Sequence, residues 1–225
     1  MSISFVNANV LRHFAVAAIC VFAVVGAMAP SAAQERAAYA VAGFRDAKFG
    51  MSEAQVRAAA AKGFNLKPAD FTSAANALEG TTVLTAKLGS LEPGPGPARV
   101  AYIFGHTSKK LVQINVVWGE EGDKPLDVNA VITSGTQLSR YFNDFIWKKD
   151  ARAGIPLGDN AVVLFAGDDD QKGSVRVVVD GVKYQFVKDG TQSTSPEPKG
   201  PPKLVINYIA DRDNPDVLKI EKGKF

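Results

Sequence analysis

Three consecutive carboxylates are the densest group of side chains in this sequence that could do chemistry. Asp168, Asp169 and Asp170 stand in the segment GDDDQKG, and carboxylate oxygens of this kind are ligands that Ca²⁺ prefers. A second acidic segment, DRDNPD at 211–216, lacks the glycine and the distant glutamate of an EF-hand loop. Asp and Gly are also common turn formers. We therefore expect both segments to be solvated turns, with a calcium site at Asp168–Asp170 as the alternative.

One histidine could serve a nucleophilic mechanism. The chain has two histidines and one cysteine, and both His13 and Cys20 lie in the first 33 residues. His106 follows Gly105 in a predicted turn, and no GxSxG segment supplies a nucleophile for it. Removal of residues 1–33 would exclude thiolate catalysis, disulfides and cysteine-ligated zinc by residue count. The sequence therefore predicts no catalytic residue and no cofactor, with His106 as a surface turn residue.

Aromatic side chains are the remaining candidates for a site. Tyr141 and Trp147 lie near the end of the second predicted helix, whereas Tyr102 and Trp118 lie in predicted strands. Core packing is the ordinary role of such residues. Exposed Tyr and Trp, however, often dominate the binding energy of protein interfaces. These four residues are therefore our candidate partner-binding residues, with the hydrophobic core as the alternative.

The first 33 residues have the three regions of a secretory signal peptide. Arg12 precedes an uncharged apolar run at 14–29, and residues 31–33 (SAA) offer small side chains for cleavage. A membrane anchor is the main alternative, but the run is shorter than the ~20 residues of a spanning helix. Lipidation at Cys20 is a second alternative, which the residues before the cysteine disfavour. We predict a 1–33 signal peptide and a periplasmic or secreted mature chain without a transmembrane segment.

The net charge and the spacing of basic residues indicate whether nucleic acid is a partner of this chain. The chain carries 26 basic and 23 acidic residues, a formal net charge of +3, and residues 1–33 contribute only Arg12 to this total. Basic residues cluster no further than pairs such as Lys109-Lys110. Nucleic-acid binding needs a basic patch, so we predict no nucleic-acid partner. An envelope protein is the partner class that fits an exported chain.

Start signals locate two helices. Ser52 and Gln55 form an S-x-x-Q capping box before the first, and Asp127 caps the second. Gly135 lies in the apolar stripe of the second helix and would let another element approach closely. The helices are predicted at 52–62 and 128–147.

Alternating and apolar runs predict strands in two groups. Asp180-Gly181 stands between two of these runs and predicts a hairpin with a type I′ turn. The polar residues at 211–225 are expected to trail from the fold. The strands are predicted at 82–88, 99–104, 110–118, 161–165, 174–179, 182–187 and 203–209.

This element order predicts an α+β fold, in which an antiparallel sheet is covered by two helices. Each helix is followed by three or four strands, which indicates two tandem units. The first unit is placed at 34–120 and the second at 121–210, and the two could also form one continuous domain. A polar tail at 211–225 completes the organisation.

Three segments resemble an exported, largely uncharacterised family of alphaproteobacterial proteins. They are GFRDAKFGMSEAQV at 43–56, ARVAYIFG at 98–105 and KKLVQINVVW at 109–118, and the first contains the FGM-[ST]-E-x-x-V start of the family's first helix. The resemblance implies a fold and no catalytic residue, because the motif residues are caps, turns and core. The element order is also similar to that of envelope proteins of the beta-lactamase-inhibitor and outer-membrane-lipoprotein type, an analogy of architecture.

The scarcity of catalytic side chains favours a non-catalytic binding protein, either an inhibitor, an adaptor or an envelope accessory factor. A hydrolase that uses carboxylates such as Asp168–Asp170 is one alternative, and it requires two acids that converge on one cleft. A small-ligand or calcium carrier is another. The shape of the surface separates them, because a concave pocket favours an enzyme or carrier and a flat apolar patch favours a protein-binding protein.

Overall fold

An antiparallel sheet of eight strands forms the body of the computed structural model. The structure describes residues 36–122, 124–183, 197–219 and residue 223. The predicted signal peptide lies outside these residues, as do the last four residues of the predicted strand 182–187. Within the described residues two helices pack against the sheet, which confirms the predicted α+β class. Neither of these helices is long and apolar enough to span a membrane.

The described elements are numbered in chain order. A small hairpin of β1 (Gly43–Phe44) and β2 (Ala47–Lys48) precedes α1 (Glu53–Phe64), and the second helix is α2 (Val128–Asn143). All neighbouring strands of the large sheet are antiparallel, in the order β3-β4-β5-β6-β10-β9-β8-β7. These strands are β3 (Phe71–Asn76), β4 (Thr81–Leu88), β5 (Ala98–Phe104), β6 (Leu111–Trp118), β7 (Ile155–Leu157), β8 (Ala161–Asp168), β9 (Ser174–Lys183) and β10 (Glu197–Ile209).

The element order repeats once along the chain. Helix α1 is followed by the meander β3–β6, and α2 is followed by the meander β7–β10. The last strands of the two meanders pair with each other in the middle of the sheet, with Ile114 of β6 opposite Tyr208 of β10. The chain from Arg36 onward forms one compact unit. Both predicted helix-plus-strand units therefore contribute to a single continuous sheet.

Both helices begin where the capping signals predict. The backbone N–H of Gln55 donates to the Ser52 hydroxyl, and the backbone N–H of Ser52 donates to Gln55 Oε1 at 2.9 Å. At α2 the backbone N–H of Ala130 donates to the Asp127 carboxylate at 2.9 Å. Helix α1 ends at Phe64, two residues past its predicted end. The residue that ends it is Asn65, which adopts the left-handed conformation (φ 53°).

Helix α2 is shorter than predicted. It ends at Asn143, and Ile146 forms a parallel bridge with Ala38 instead of continuing the helix. The indole Nε1 of Trp147 then donates back to the carbonyl of Phe142 at 2.9 Å. The apolar side chains after Asn143 continue the hydrophobic stripe, and this stripe does not distinguish a helix from a turn that folds back on it.

Gly135 brings α2 close to the sheet, as predicted. A Cβ at this position would lie 2.8 Å from Leu164 Cδ1 and 3.2 Å from Val179 Cγ2. The helix packs across β8, β9 and β10 at this point. Helix α1 instead packs near β4 and the small β1–β2 hairpin. The two helices therefore cover different parts of the same sheet face.

The predicted hairpin at Asp180-Gly181 is wrong. Strand β9 continues through both residues to Lys183, and its pairing with β10 shifts register between Pro198 and Lys203. Gly181 has a φ of +74°, and a Cβ there would lie 2.4 Å from the carbonyl oxygen of Pro201. The glycine therefore serves an irregularity inside a long strand, a role with the same residue preference as a turn.

The C-terminal segment also departs from expectation, because its described part is attached to the fold. The backbone N–H of Arg212 donates to Lys172 O, and that of Leu218 donates to Glu79 O at 2.7 Å. The segment thus crosses one end of the sheet from the β8–β9 turn to the β3–β4 turn. Its polar composition indicated solvent exposure, but backbone hydrogen bonds of this kind do not depend on side-chain type.

Candidate functional site

The face of the large sheet that α1 and α2 cover is called the inner face. It carries a cleft near its centre. Helix α2 covers β8–β10, whereas β6 and β10 meet the small β1 strand. A cavity of about 500 Å³ remains between α2, the segment 39–45, the loop at 91–93 and the sheet. Small-molecule sites are typically concave and measure ~300–1,000 Å³. The cleft therefore has the size of a ligand site.

Six aromatic side chains contribute to the walls of this cleft. Phe142 of α2 contacts Tyr39 edge-on at 5.5 Å between ring centroids and Tyr208 at 6.3 Å. Phe44 lies against the other side of Tyr208 at 5.6 Å. Interlocked aromatic rings form a rigid apolar wall. The residues that line the cleft are Tyr39, Gly43, Phe44, Arg45, Leu91, Glu92, Pro93, Trp118, Gln137, Leu138, Tyr141, Phe142, Ile206 and Tyr208.

Burial favours the neutral form of three tyrosines. Tyr39 and Tyr208 line the cleft, and Tyr102 lies in the core outside its lining. Burial raises the pKa of Tyr39 to about 12, with a smaller contribution from Tyr141. Burial likewise raises the pKa of Tyr208 and of Tyr102 well above the ordinary range. Neutral phenols donate hydrogen bonds and are poor bases. Tyr39 and Tyr208 therefore line the cleft as neutral phenols.

Charged and amide groups lie at the mouth of the cleft. Arg45, Glu92 and Gln137 line it and are exposed to solvent. Arg45 has a left-handed backbone (φ 51°) between β1 and β2, and its guanidinium lies 4.8 Å from the centroid of Phe64. This cation–π contact stabilises the position of the arginine at the rim. The mouth thus combines one cation with one carboxylate, so it carries little net charge.

Three of the four predicted partner-binding residues are core residues. Tyr102 and Trp118 are fully buried, and Trp147 is only 9% exposed. Both indoles are held by backbone carbonyls, with Trp118 Nε1 donating to Leu91 O at 2.8 Å. Alternation along β5 and β6 directs Tyr102 and Trp118 to the covered face. Tyr141 is 52% exposed and lies at the rim of the cleft.

The three consecutive aspartates are not brought together around a common centre. Asp168 pairs with Arg212 and with Arg152, whereas Asp170 is exposed. The buried Asp169 accepts three backbone N–H groups, from Val41 at 2.8 Å, Gln171 at 2.9 Å and Gly173 at 2.7 Å. Its carboxylate closes the β8–β9 turn and attaches the N-terminal segment to it. Across the described residues, no group of three His, Cys, Asp or Glu side chains is arranged to hold a metal ion.

The second acidic segment and the histidine meet at the turn between β5 and β6, at the same end of the sheet as the β8–β9 turn. The Asp216 carboxylate accepts the backbone N–H groups of Thr107 at 2.8 Å and Ser108 at 2.9 Å. His106 Nδ1 lies 3.1 Å from the carbonyl oxygen of Gly80. His106 is a turn residue, as predicted, but it is half-buried instead of lying at the surface. These contacts give the acidic segment a structural role.

The principal cleft residues were not found by sequence reasoning. Tyr39 and Tyr208 are far apart in the chain. Phe44 ends β1 and Arg45 lies in the turn before β2, and both strands are too short to show a pattern. One signal was present, because Phe44-Arg45 lies in the GFRDAKFG segment that carries the family resemblance. Comparison with known protein families, with curated protein sequences and with solved structures found no match for this chain.

Proposed function

We propose that the chain is an exported, non-catalytic binding protein whose cleft takes a small, largely apolar ligand. The aromatic cleft of about 500 Å³ is the observation that carries this proposal. It favours the small-ligand carrier over the protein adaptor, because the residues expected to anchor a protein partner are mostly buried. Export to the periplasm rests on the predicted signal peptide and is part of the proposal.

The walls indicate the chemistry of the ligand. The rings of Phe44 and Phe142 favour an apolar body, and a flat or ring-bearing one uses their faces best. The neutral phenols of Tyr39 and Tyr208 favour a hydrogen-bond acceptor on that body, such as a carbonyl or ether oxygen. The opposite charges of Arg45 and Glu92 at the mouth favour a polar group there without selecting a strong net charge.

Binding is better supported than hydrolysis. A carboxylate-dependent hydrolase needs two carboxyl groups that converge on the substrate. Among the described residues that line the cleft, Glu92 is the single carboxylate. Asp168 and Asp169 are engaged by arginines and by backbone N–H groups at the β8–β9 turn. The cleft is therefore suited to hold a molecule, and its side chains offer no pair of acids to transform one.

A blocking substitution tests this proposal. Gln137→Trp places a large side chain at the exposed mouth of the cleft, whereas Asn129→Trp places the same side chain on an exposed part of α2 outside the lining. The probe is 1-anilinonaphthalene-8-sulfonate, followed by its fluorescence. We expect Gln137→Trp to weaken probe binding by about tenfold or more, equivalent to ~1.4 kcal/mol.

The matched Asn129→Trp variant should bind the probe as the unaltered protein does. Equal binding by all three proteins would contradict the proposal, as would the absence of saturable binding to the unaltered protein. Native mass spectrometry of the protein purified from periplasmic extract provides an independent readout. A bound small molecule that disappears in Gln137→Trp but stays in Asn129→Trp would identify the ligand class directly.

A further inference from the structure

Arg45 is the single cation among the described residues that line the cleft. It lies in the turn between β1 and β2 and has a φ of 51°. Residues other than glycine seldom adopt this conformation, and those that do are often found at ligand sites. The conformation of the turn sets the direction in which the Arg45 side chain leaves the backbone.

Two aromatic rings position the Arg45 guanidinium. It lies 4.8 Å from the centroid of Phe64 and 5.9 Å from that of Phe44. Phe44 also packs against Tyr208 at 5.6 Å between ring centroids, and both of these residues line the cleft. An aromatic ring attracts a cation but carries no net charge. These contacts therefore hold the guanidinium beside the apolar wall and leave its positive charge uncompensated.

No carboxylate of the described residues pairs with Arg45. Asp46 follows it in the turn and Glu92 also lines the cleft, but neither takes part in the ion pairs formed by the described part of the chain. Within the same residues the guanidinium donates no hydrogen bond, whereas the backbone carbonyl of Arg45 accepts one from Lys48 Nζ. The positive charge at the mouth is thus available to a ligand.

The two charges at the mouth differ in how well they are placed. Glu92 is exposed, and no side-chain contact within the described residues holds its carboxylate. Arg45 is held by two rings, so it loses less conformational freedom when it binds a ligand group. A charge that is positioned in advance contributes more to affinity than one that binding must first immobilise. The ligand group at the mouth should therefore complement the arginine.

We propose that Arg45 selects the charge of the ligand, and that the cleft takes an amphipathic anion with a ring-bearing apolar body and one carboxylate or sulfonate group. This inference rests on the proposed function and names the class of ligand within it. The planar guanidinium offers paired N–H donors that match two oxygens of such a group. The apolar body lies against Phe44 and Phe142. The anionic group stays at the mouth, which avoids the cost of burying a charge.

Two fluorescent probes that differ by one group test the proposal. 1-Anilinonaphthalene-8-sulfonate carries the anionic group, and N-phenyl-1-naphthylamine has the same rings without it. We expect Arg45→Gln to weaken binding of the sulfonate by about fivefold to tenfold, because a charge-assisted hydrogen bond is lost. Binding of the uncharged probe should not change. Arg140→Gln removes an exposed arginine of α2 outside the lining, and this matched control should bind both probes normally.

Glu92→Gln provides an independent arm of the experiment. Removal of this carboxylate should tighten binding of the sulfonate by about twofold or more, since a like charge at the mouth is lost. Added salt should weaken binding of the sulfonate to the unaltered protein and affect Arg45→Gln less. Arg45 is exposed, so the melting temperature of Arg45→Gln should stay close to that of the unaltered protein.

The inference is overturned if Arg45→Gln binds the sulfonate as the unaltered protein does, or if both probes lose affinity in equal measure. It is also overturned if Glu92→Gln binds the sulfonate more weakly. The proposed function would survive these results as long as the uncharged probe saturates the cleft and Gln137→Trp blocks it. Absence of saturable binding by both probes would refute the proposed function, and this inference with it.

Discussion

The indole of Trp118 is the anchor of the loop that contains Leu91. Trp118 Nε1 donates to the carbonyl of Leu91 at 2.8 Å, and both residues are buried. The loop between β4 and β5 is thereby held against the inner face of β6. Because Leu91, Pro93 and Trp118 all line the cleft, this hydrogen bond fixes one wall of the proposed binding site.

Gly94 allows the loop to lie on this indole. A Cβ at Gly94 would lie 2.1 Å from Trp118 Cε2 and Nε1, so Gly94→Ala must displace the loop or the ring. We expect a loss of ~1–3 kcal/mol in the free energy of unfolding, as is usual for overpacking, and altered tryptophan fluorescence. Gly89→Ala is the matched control, since a Cβ there has open space. Urea denaturation measures both, and equal stabilities would show that the loop is not seated on Trp118.

Asp169 should be required for stability and its neighbour Asp170 should not. In Asp169→Asn an amide group replaces one carboxylate oxygen, so at least one buried backbone N–H loses its acceptor. We expect a cost of ~1–3 kcal/mol in the free energy of unfolding, whereas the exposed Asp170→Asn should have little effect. Thermal melting with Ca²⁺ and with a chelator completes the test. A melting temperature that rises with Ca²⁺ and depends on Asp170 would instead support the calcium site.

Asp216 should make the attachment of the C-terminal segment sensitive to acid. Hydrogen bonds from Ser108 and Thr107 lower the pKa of its carboxyl from 3.8 to about 2. The ionised form is favoured in the fold, so the stabilisation is complete above pH 4 and is lost as the pH falls toward 2. The protection of the Thr107 amide, which is its exchange rate relative to the intrinsic rate at the same pH, should therefore fall over this range. Asp216→Asn should exchange faster already at neutral pH, and an unchanged profile in that variant would refute the assignment.

Tyr39 should titrate at unusually high pH. Its pKa of about 12 lies above the ordinary value of 10 because the phenol is buried. The unfolded chain loses this proton first, so the contribution of Tyr39 to stability is present below pH 10 and declines between pH 10 and 12. Absorbance at alkaline pH measures the ionisation, and Tyr39→Phe should remove one late-titrating phenol. If the variant instead lost a phenol with an ordinary pKa, Tyr39 would not be buried in the cleft wall.

Local signals in the sequence predicted the parts of the fold that depend on neighbouring residues. The caps at Ser52 and Asp127 were identified because a cap and its N–H partner are three residues apart. The small residues of β3 were missed, since TSAA shows no apolar alternation and the strand is stabilised by pairing with β4. The Asp-Gly pair at Gly181 predicts a hairpin because a positive φ suits glycine in a turn and in a strand irregularity alike, and only the distant Pro201 carbonyl distinguishes the two.

The candidate site was harder to predict than the fold. Burial of Trp118 and Tyr102 follows from strand alternation, which makes core packing the alternative role of both residues. The cleft itself depends on contacts such as Tyr39 with Phe142 and Phe44 with Tyr208, which join distant parts of the chain. No spacing rule relates such residues. The family resemblance, the export of the chain and its partner class stay predictions.

The pairing of β6 with β10 has a consequence for how the sheet is completed. Residues 203–209 of β10 lie between β6 and β9 and pair with both. Until this segment has been synthesised, β6 and β9 each present an open edge. No strand then joins β3–β6 to β7–β9. Pairing across so long a sequence separation is slow compared with hairpin formation. A chain emerging from a ribosome would therefore hold two incomplete half-sheets with open edges until residues 203–209 join them.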